Sequence, residues 1–211
     1  MEEIRNAPYA NGEDRISRLP DNLIHLIMSY MDTKDAVQTS VLSKRWIDVW
    51  KSLPFLEFHR SSFSEDKTHS FIMFVDNVCL FRGDIDIQRF YVRWKDSVTI
   101  HVNRWSLAAV KYNVQDISIF ISECHNSAYE IPHRLLNCKS LKKLTLYLYG
   151  NARYADVILR GSMNLPQLKF LSFTGLSISE VESSKRLFSS CPVLETLHIS
   201  DCYIRTDNRG I

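Results

Sequence analysis

The chain reads as an α/β protein in which a short three-helix unit precedes a solenoid of repeats with a curved parallel sheet. Three observations predict this. Residues 14–58 carry more apolar side chains than three short helices can hide, and an apolar frame recurs at 27-residue steps further on. Between some of those frames lie amphipathic stretches of helical length.

The first helix starts at Pro20, where a first turn needs no backbone N–H, and Asp21 complements the positive helix end. One row along it is Leu23, Leu26, Ile27 and Tyr30, and a second is Ile24, Met28 and Met31. One apolar stripe is enough to join a helix to its own core, so the other row meets either the interior of a larger domain or a partner. Thr33 or Asp32 caps a second helix carrying Ala36, Val37 and Val41. Ser43 caps a third with Trp46, Val49 and Trp50, which Pro54 ends. Three helices in about 35 residues do not build a self-sufficient core.

From residue 87 the frame L-x-x-L-x-L returns as Ile87/Phe90/Val92, Val114/Ile117/Ile119, Leu141/Leu144/Leu146, Leu168/Leu171/Phe173 and, one residue early, Leu194/Leu197/Ile199. Leu53/Leu56/Phe58 joins the third helix to this series. The period lies in the range of leucine-rich repeats, and the last copy continues to Cys202 at the usual Asn/Cys position. Tyr149 and Leu176 stand there in earlier copies, which predicts less regular turns. Helices are expected from Thr68 to Phe81 and from Val181 to Ser190, so that strand and helix alternate and stacked neighbours share one core. Side chains alternate across a strand, so the neighbours of the frame residues line the concave face. Of these, Arg89, Tyr91, Arg93, Phe120, Lys143, Tyr147, Phe170 and His198 mix aromatic and polar groups as a recognition surface does.

The order Leu19-Pro20, then Asp35-Ala36-Val37, then Val41-Leu42-Ser43-Lys44-Arg45-Trp46, then Trp50 and Leu53-Pro54 resembles the F-box of plant F-box proteins carrying leucine-rich repeats. Asp32 departs from the proline that many relatives have, and Ile47 from a common basic residue. The resemblance implies a substrate receptor of an SCF-type ubiquitin ligase. In that role the F-box binds a Skp-family adaptor and, through it, a cullin scaffold, while the repeats hold an unknown target protein. By motif position the adaptor contacts are Leu19, Pro20, Leu23, Ile27, Leu42, Ser43, Lys44 and Trp46. The expected division is a flexible segment 1–13, an F-box at 14–54 and a repeat region at 55–211. That region ends at RTDNRGI without a terminal cap and reads as incomplete.

The remaining chemistry narrows the reading. A net charge of +2, from 26 basic and 24 acidic residues, makes no general case for nucleic acid, and binding through Arg89, Arg93 and Lys143 is the weaker alternative. The acidic, polar start has no signal-peptide core, and no run reaches membrane-spanning length, so an intracellular protein of nucleus or cytoplasm is expected. Five cysteines without CxxC spacing read as reduced thiols. The irregular spacing of Cys124, His125, His133 and Cys138 argues against zinc, and no metal or cofactor is expected. No GxSxG elbow, phosphate loop or HExxH pair occurs, so no catalytic residue is assigned. The rivals to a ligase receptor are a repeat scaffold, with the N-terminal helices as its cap, and a shortened decoy.

Overall fold

The computed structural model describes residues 18–42, 44–96, 98–122, 128–150 and 154–206. The expected flexible segment 1–13 lies outside the described residues. Helix α1 (Asp21–Met28) begins directly after Pro20, whose carbonyl accepts from the Leu23 and Ile24 N–H groups. Helix α2 (Thr33–Gln38) is capped by Asp32, which accepts from the Asp35 N–H at 2.9 Å. A 3-10 turn over Thr39–Val41 leads to α3 (Lys44–Lys51). Ile24, Met28, Ala36, Trp46, Val49 and Leu53 form a small core of their own, with Leu19 and Trp50 against it.

The chain then builds β1 (Phe55–His59), α4 (Thr68–Phe81), β2 (Arg89–Lys95), α5 (Ile100–Lys111), β3 (Asp116–Ser122) and β4 (Tyr129–Glu130). After a 3-10 turn over Leu135–Asn137 come β5 (Lys143–Tyr149), β6 (Ala155–Ile158), β7 (Phe170–Thr174) and β8 (Leu176–Ile178). Helix α6 (Val181–Ser189), β9 (Thr196–Ser200) and β10 (Tyr203–Ile204) follow. Six parallel strands make the main sheet in the order β1-β2-β3-β5-β7-β9, and four short ones make a second sheet in the order β10-β8-β6-β4.

The repeat frame is the sheet register itself. Leu56, Phe90, Ile117, Leu144, Leu171 and Leu197 stand in one row across the strands, and Phe58, Val92, Ile119, Leu146, Phe173 and Ile199 in the next. A constant period places each strand beside the last without slippage, because a one-residue shift would turn every frame side chain to the other face. The frame residues of the first five of these strands join one core with Phe71, Val75, Trp105 and Leu187 from the helices. At its centre the rings of Phe71, Trp94 and Trp105 lie with centroids 5.6 to 5.8 Å apart. Leu197 and Ile199 are exposed, since among the described residues no further repeat packs over them.

The expected alternation of strand and helix holds only in part. Helix α4 has the predicted bounds and α6 nearly so, and α5 is an additional helix. Between β3 and β5, and between β5 and β7, the described return path uses β4, the 3-10 turn and β6 rather than an α-helix. A strand of two to four residues closes each of those rungs by pairing with its counterpart in the next repeat.

The helical unit is tied to the first rung. Thr33 Oγ1 accepts from the Glu57 N–H at 2.7 Å, which occupies a donor on the outer edge of β1. Ser62 Oγ donates to Asp32 at 2.7 Å, Lys34 Nζ donates to the Ser62 carbonyl at 2.6 Å, and the Gly83 N–H donates to the Lys51 carbonyl at 2.8 Å. Trp50 packs against both cores. An edge strand is thereby covered and the two units hold a defined orientation.

Candidate functional site

Two surfaces stand out, one on the helical unit and one on the sheet. On α1 the row Leu23, Leu26, Ile27 and Tyr30 faces outward, with Leu26 52% and Tyr30 85% exposed. Ile24 and Met28 supply the single stripe that the small core needs, and Met31, grouped with them by spacing, is itself exposed. Val41 is 86% exposed, and Leu42 and Ile47 are also open. An ion pair between Arg45 and Asp21 brings the first turn of α3, just after Leu42, beside the first turn of α1. An exposed apolar set of this size on so small a unit is the feature that interaction surfaces share.

The motif residues divide by position. Pro20, Leu23, Ile27 and Leu42 are exposed, and Leu19 is half-buried against the small core. Ser43 and the Lys44 side chain lie outside the described residues. Trp46 is a correction: at 2% exposure it lies inside the helical core. With Val49 and Leu53 it makes an inward stripe at i, i+3 and i+7, so its ring supports the surface from behind.

On the sheet the expected recognition residues do share one open face. Arg89, Asp116, Lys143, Phe170 and Thr196 form one row; Tyr91, Ser118, Thr145, Ser172 and His198 the next; Arg93, Phe120, Tyr147, Thr174 and Ser200 a third. Rings step across it, Tyr91 to Phe120 at 5.0 Å and Phe120 to Tyr147 at 5.6 Å, while Phe170 packs with His198 at 5.2 Å. Phe120 therefore packs with its tyrosine neighbours, not with Phe170. Cations lie over the rings: Arg93 is 5.5 Å from Phe120, Lys143 4.9 Å from Phe170 and Arg89 5.7 Å from Phe55.

Sequence reasoning missed the end of this face. A cleft of about 640 Å³ is lined by Arg60, Phe63, Glu65, Arg93 and Lys95 among others. Arg60 shapes its wall by donating to the carbonyls of Phe63, Ser64 and Glu65 at 2.7 to 3.1 Å and to Thr68 Oγ1 at 2.7 Å. Carrying the alternation of Arg89, Tyr91 and Arg93 one step further reaches Lys95, so part of the cleft was legible.

Burial dominates the titration of Asp116 on this face. It raises the Asp116 carboxyl above its ordinary value, and Lys143 at 3.8 Å and Arg89 offset this only in part. A raised folded-state value contributes stability below the unfolded value, and that contribution is lost as pH rises through the folded one. Asp116→Asn is therefore expected to keep or raise the melting temperature at pH 7, with the advantage vanishing in the acidic range where the aspartate is protonated. A lower melting temperature at pH 7 would show that the Lys143 pair outweighs desolvation.

Burial, aided by Asp76, pushes the Cys79 thiol up to about 12, and burial also raises Cys191, both away from the thiolate form. Among the described residues no group of three or more His, Cys, Asp and Glu side chains is placed to hold a metal. Cys124 and His125 lie outside them, and His133 pairs with Ser162 Oγ at 3.3 Å. No helix among the described residues is long and apolar enough to cross a membrane.

A helical unit with an open apolar face, joined to a parallel-sheet repeat region, defines the class, and comparison with known proteins agrees. The F-box domain family matches residues 16–58, and the family described as "FBD-associated F-box protein At5g56370, LRR repeats" matches residues 102–209. The chain belongs to the F-box/LRR-repeat family. It is similar to three Arabidopsis thaliana proteins: the F-box/FBD/LRR-repeat protein At1g78750 (32% identical over 89% of this chain and 42% of that protein), the F-box/LRR-repeat protein At3g58930 (33%, over 89% and 41%), and the F-box protein At4g09920 (34%, over 94% and 61%). The chain spans about half the length of the curated relatives it matches.

Proposed function

We propose that this chain is the substrate-recognition subunit of an SCF-type ubiquitin ligase, acting in the nucleus or cytoplasm. Residues 14–54 bind a Skp-family adaptor and, through it, a cullin scaffold, and residues 55–211 hold a target protein on the open sheet face. The observation that carries this reading is the outward apolar row of α1 together with Val41 and Leu42, which the small core leaves unused. Leu19, Pro20, Leu23, Ile27, Leu42, Ser43 and Lys44 are the proposed adaptor contacts by motif position, with exposed Leu26 and Val41 beside them on the same surface, and desolvation of the apolar ones is the main driving term. The chain's contribution is proximity: hydrogen bonds between the helical unit and the first rung set where a bound target stands relative to the adaptor. Transfer chemistry belongs to other subunits.

The test is a double substitution, Leu26→Asp with Val41→Asp. Neither side chain belongs to the core, so the circular dichroism and melting temperature are expected to stay within error. Capture of a Skp-family adaptor is expected to fall about hundredfold or more, because two charges would be desolvated against an apolar partner. Undiminished capture would remove the basis of the proposal. A scaffold that recruits no ligase is the second reading, favoured by the way Thr33 covers the β1 edge as a solenoid cap does. A chain that never captures an adaptor supports it, and one that captures adaptor without supporting target ubiquitination in a reconstituted assay supports a decoy.

A further inference from the structure

The open face carries more cations than it neutralises, and the surplus is concentrated at Arg93. Lys143 pairs with Asp116 at 3.8 Å and Lys95 with Glu65 at 3.2 Å, and Glu57 lies 2.7 Å from His59 Nε2, a contact that is an ion pair only with the imidazole protonated. Arg89 lies in the field of Asp116, beside the Phe55 ring. Among the described residues Arg93 has no carboxylate. Its Nε donates to Tyr91 Oη at 3.1 Å and its guanidinium lies over Phe120. Those contacts hold the planar fork in place without consuming its charge, which is the arrangement that recognises a carboxylate in two-point fashion.

The surrounding shape says what accompanies that carboxylate. Arg93 and Ser122 line both the cleft of about 640 Å³ and a second of about 340 Å³, so the guanidinium stands where the two adjoin. The larger cleft is walled by Phe63 and by polar groups; the smaller is walled by Phe120, Ile121 and Tyr147. Each is of the size that takes one or a few side chains. A ligand running across Arg93 would set an anionic group on the fork and an apolar or aromatic side chain against the Phe120–Tyr147 stack.

We propose that the open face takes an acidic segment of the target polypeptide, with an aspartate or glutamate side chain paired to Arg93 and an adjacent apolar or aromatic side chain on Phe120 and Tyr147. This rests on the reading of the sheet as the target-binding surface and specifies what that surface selects. Lys95 and Lys143, each already paired, add a favourable field and bias the face against basic segments.

The experiment is selection of a random twelve-residue peptide library on the purified full chain, with the Arg93→Gln chain as counter-selection. Enriched peptides are expected to carry Asp or Glu within two positions of Phe, Tyr, Trp or Leu. A synthetic copy of the most enriched peptide is expected to bind Arg93→Gln at least tenfold more weakly. Its acid-to-amide version should lose a similar factor, and binding should weaken as salt rises. No enrichment, enrichment without acidic residues, equal binding to Arg93→Gln, or displacement of the peptide by a single-stranded oligonucleotide at lower concentration each overturns the proposal. Adaptor capture by Arg93→Gln, measured alongside, separates the two readings. A chain that captures adaptor but selects no acidic peptide defeats this inference alone, and one that selects the peptide but never captures adaptor defeats the ligase reading.

Discussion

Replacing Trp46 with alanine is expected to unfold the three-helix unit, at a cost of about 3–5 kcal/mol. Trp46 is the largest buried member of a core that, among the described residues, otherwise holds Ile24, Met28, Ala36, Val49 and Leu53, with Leu19 and Trp50 against it, so few neighbours are available to collapse into the vacated volume. The indole Nε1 has no hydrogen-bond partner among the described residues, so the loss is one of packing, and Trp46→Phe is expected to restore most of it. Hydrogen exchange should show protection lost over residues 21–51 in Trp46→Ala while β2, β3 and β5 stay protected, because Phe71, Trp94 and Trp105 anchor a separate core. Adaptor capture should fall with the helices. This differs in kind from Leu26→Asp with Val41→Asp, where capture falls and protection remains. If Trp46→Ala kept full protection and lost only capture, the ring would be a contact after all and its placement inside the unit would be wrong.

The contrast between Trp46 and Leu26 shows how far a sequence carries. The apolar surplus at the N-terminus was visible by counting, since α1 has two apolar rows and a core can use one. The period of the frame also translated directly into register, because parallel strands at constant spacing leave no other in-step pairing. Position in a motif does not say whether a residue acts outward or inward. That followed only from the i, i+3, i+7 stripe of Trp46, Val49 and Leu53. Helix α5 was not predicted because its buried positions include Ser106 and Ala109, which give a weak apolar signal. The second sheet escaped because strands as short as Tyr129–Glu130 cannot show an alternation. The cleft beside Arg93 depends on the loop that Arg60 pins, and contacts made through backbone carbonyls leave no mark on side-chain spacing.

Gly175 is the other position where a single methyl group is expected to have a large effect. It joins β7 to β8, where the chain turns from the main sheet into the second one, and holds φ at +73°. Its N–H donates to the Ser200 carbonyl at 3.1 Å and its own carbonyl accepts from the Ala155 N–H at 2.9 Å, so the corner is fixed on both sides. A Cβ there would lie 2.0 Å from the Leu148 carbonyl oxygen, a backbone atom that cannot rotate away. Left-handed strain and overpacking together predict a cost of about 2–5 kcal/mol for Gly175→Ala. Gly161 provides the control: its φ is +75°, but its added Cβ would meet the His133 ring at 2.9 Å, and a side chain is able to turn aside. Gly161→Ala is therefore expected to cost about 1 kcal/mol, mostly from φ. Thermal melts of the two variants discriminate the causes. A much larger drop for Gly175→Ala means that close approach of neighbouring rungs dictates glycine at this corner, whereas equal drops would mean that φ alone does.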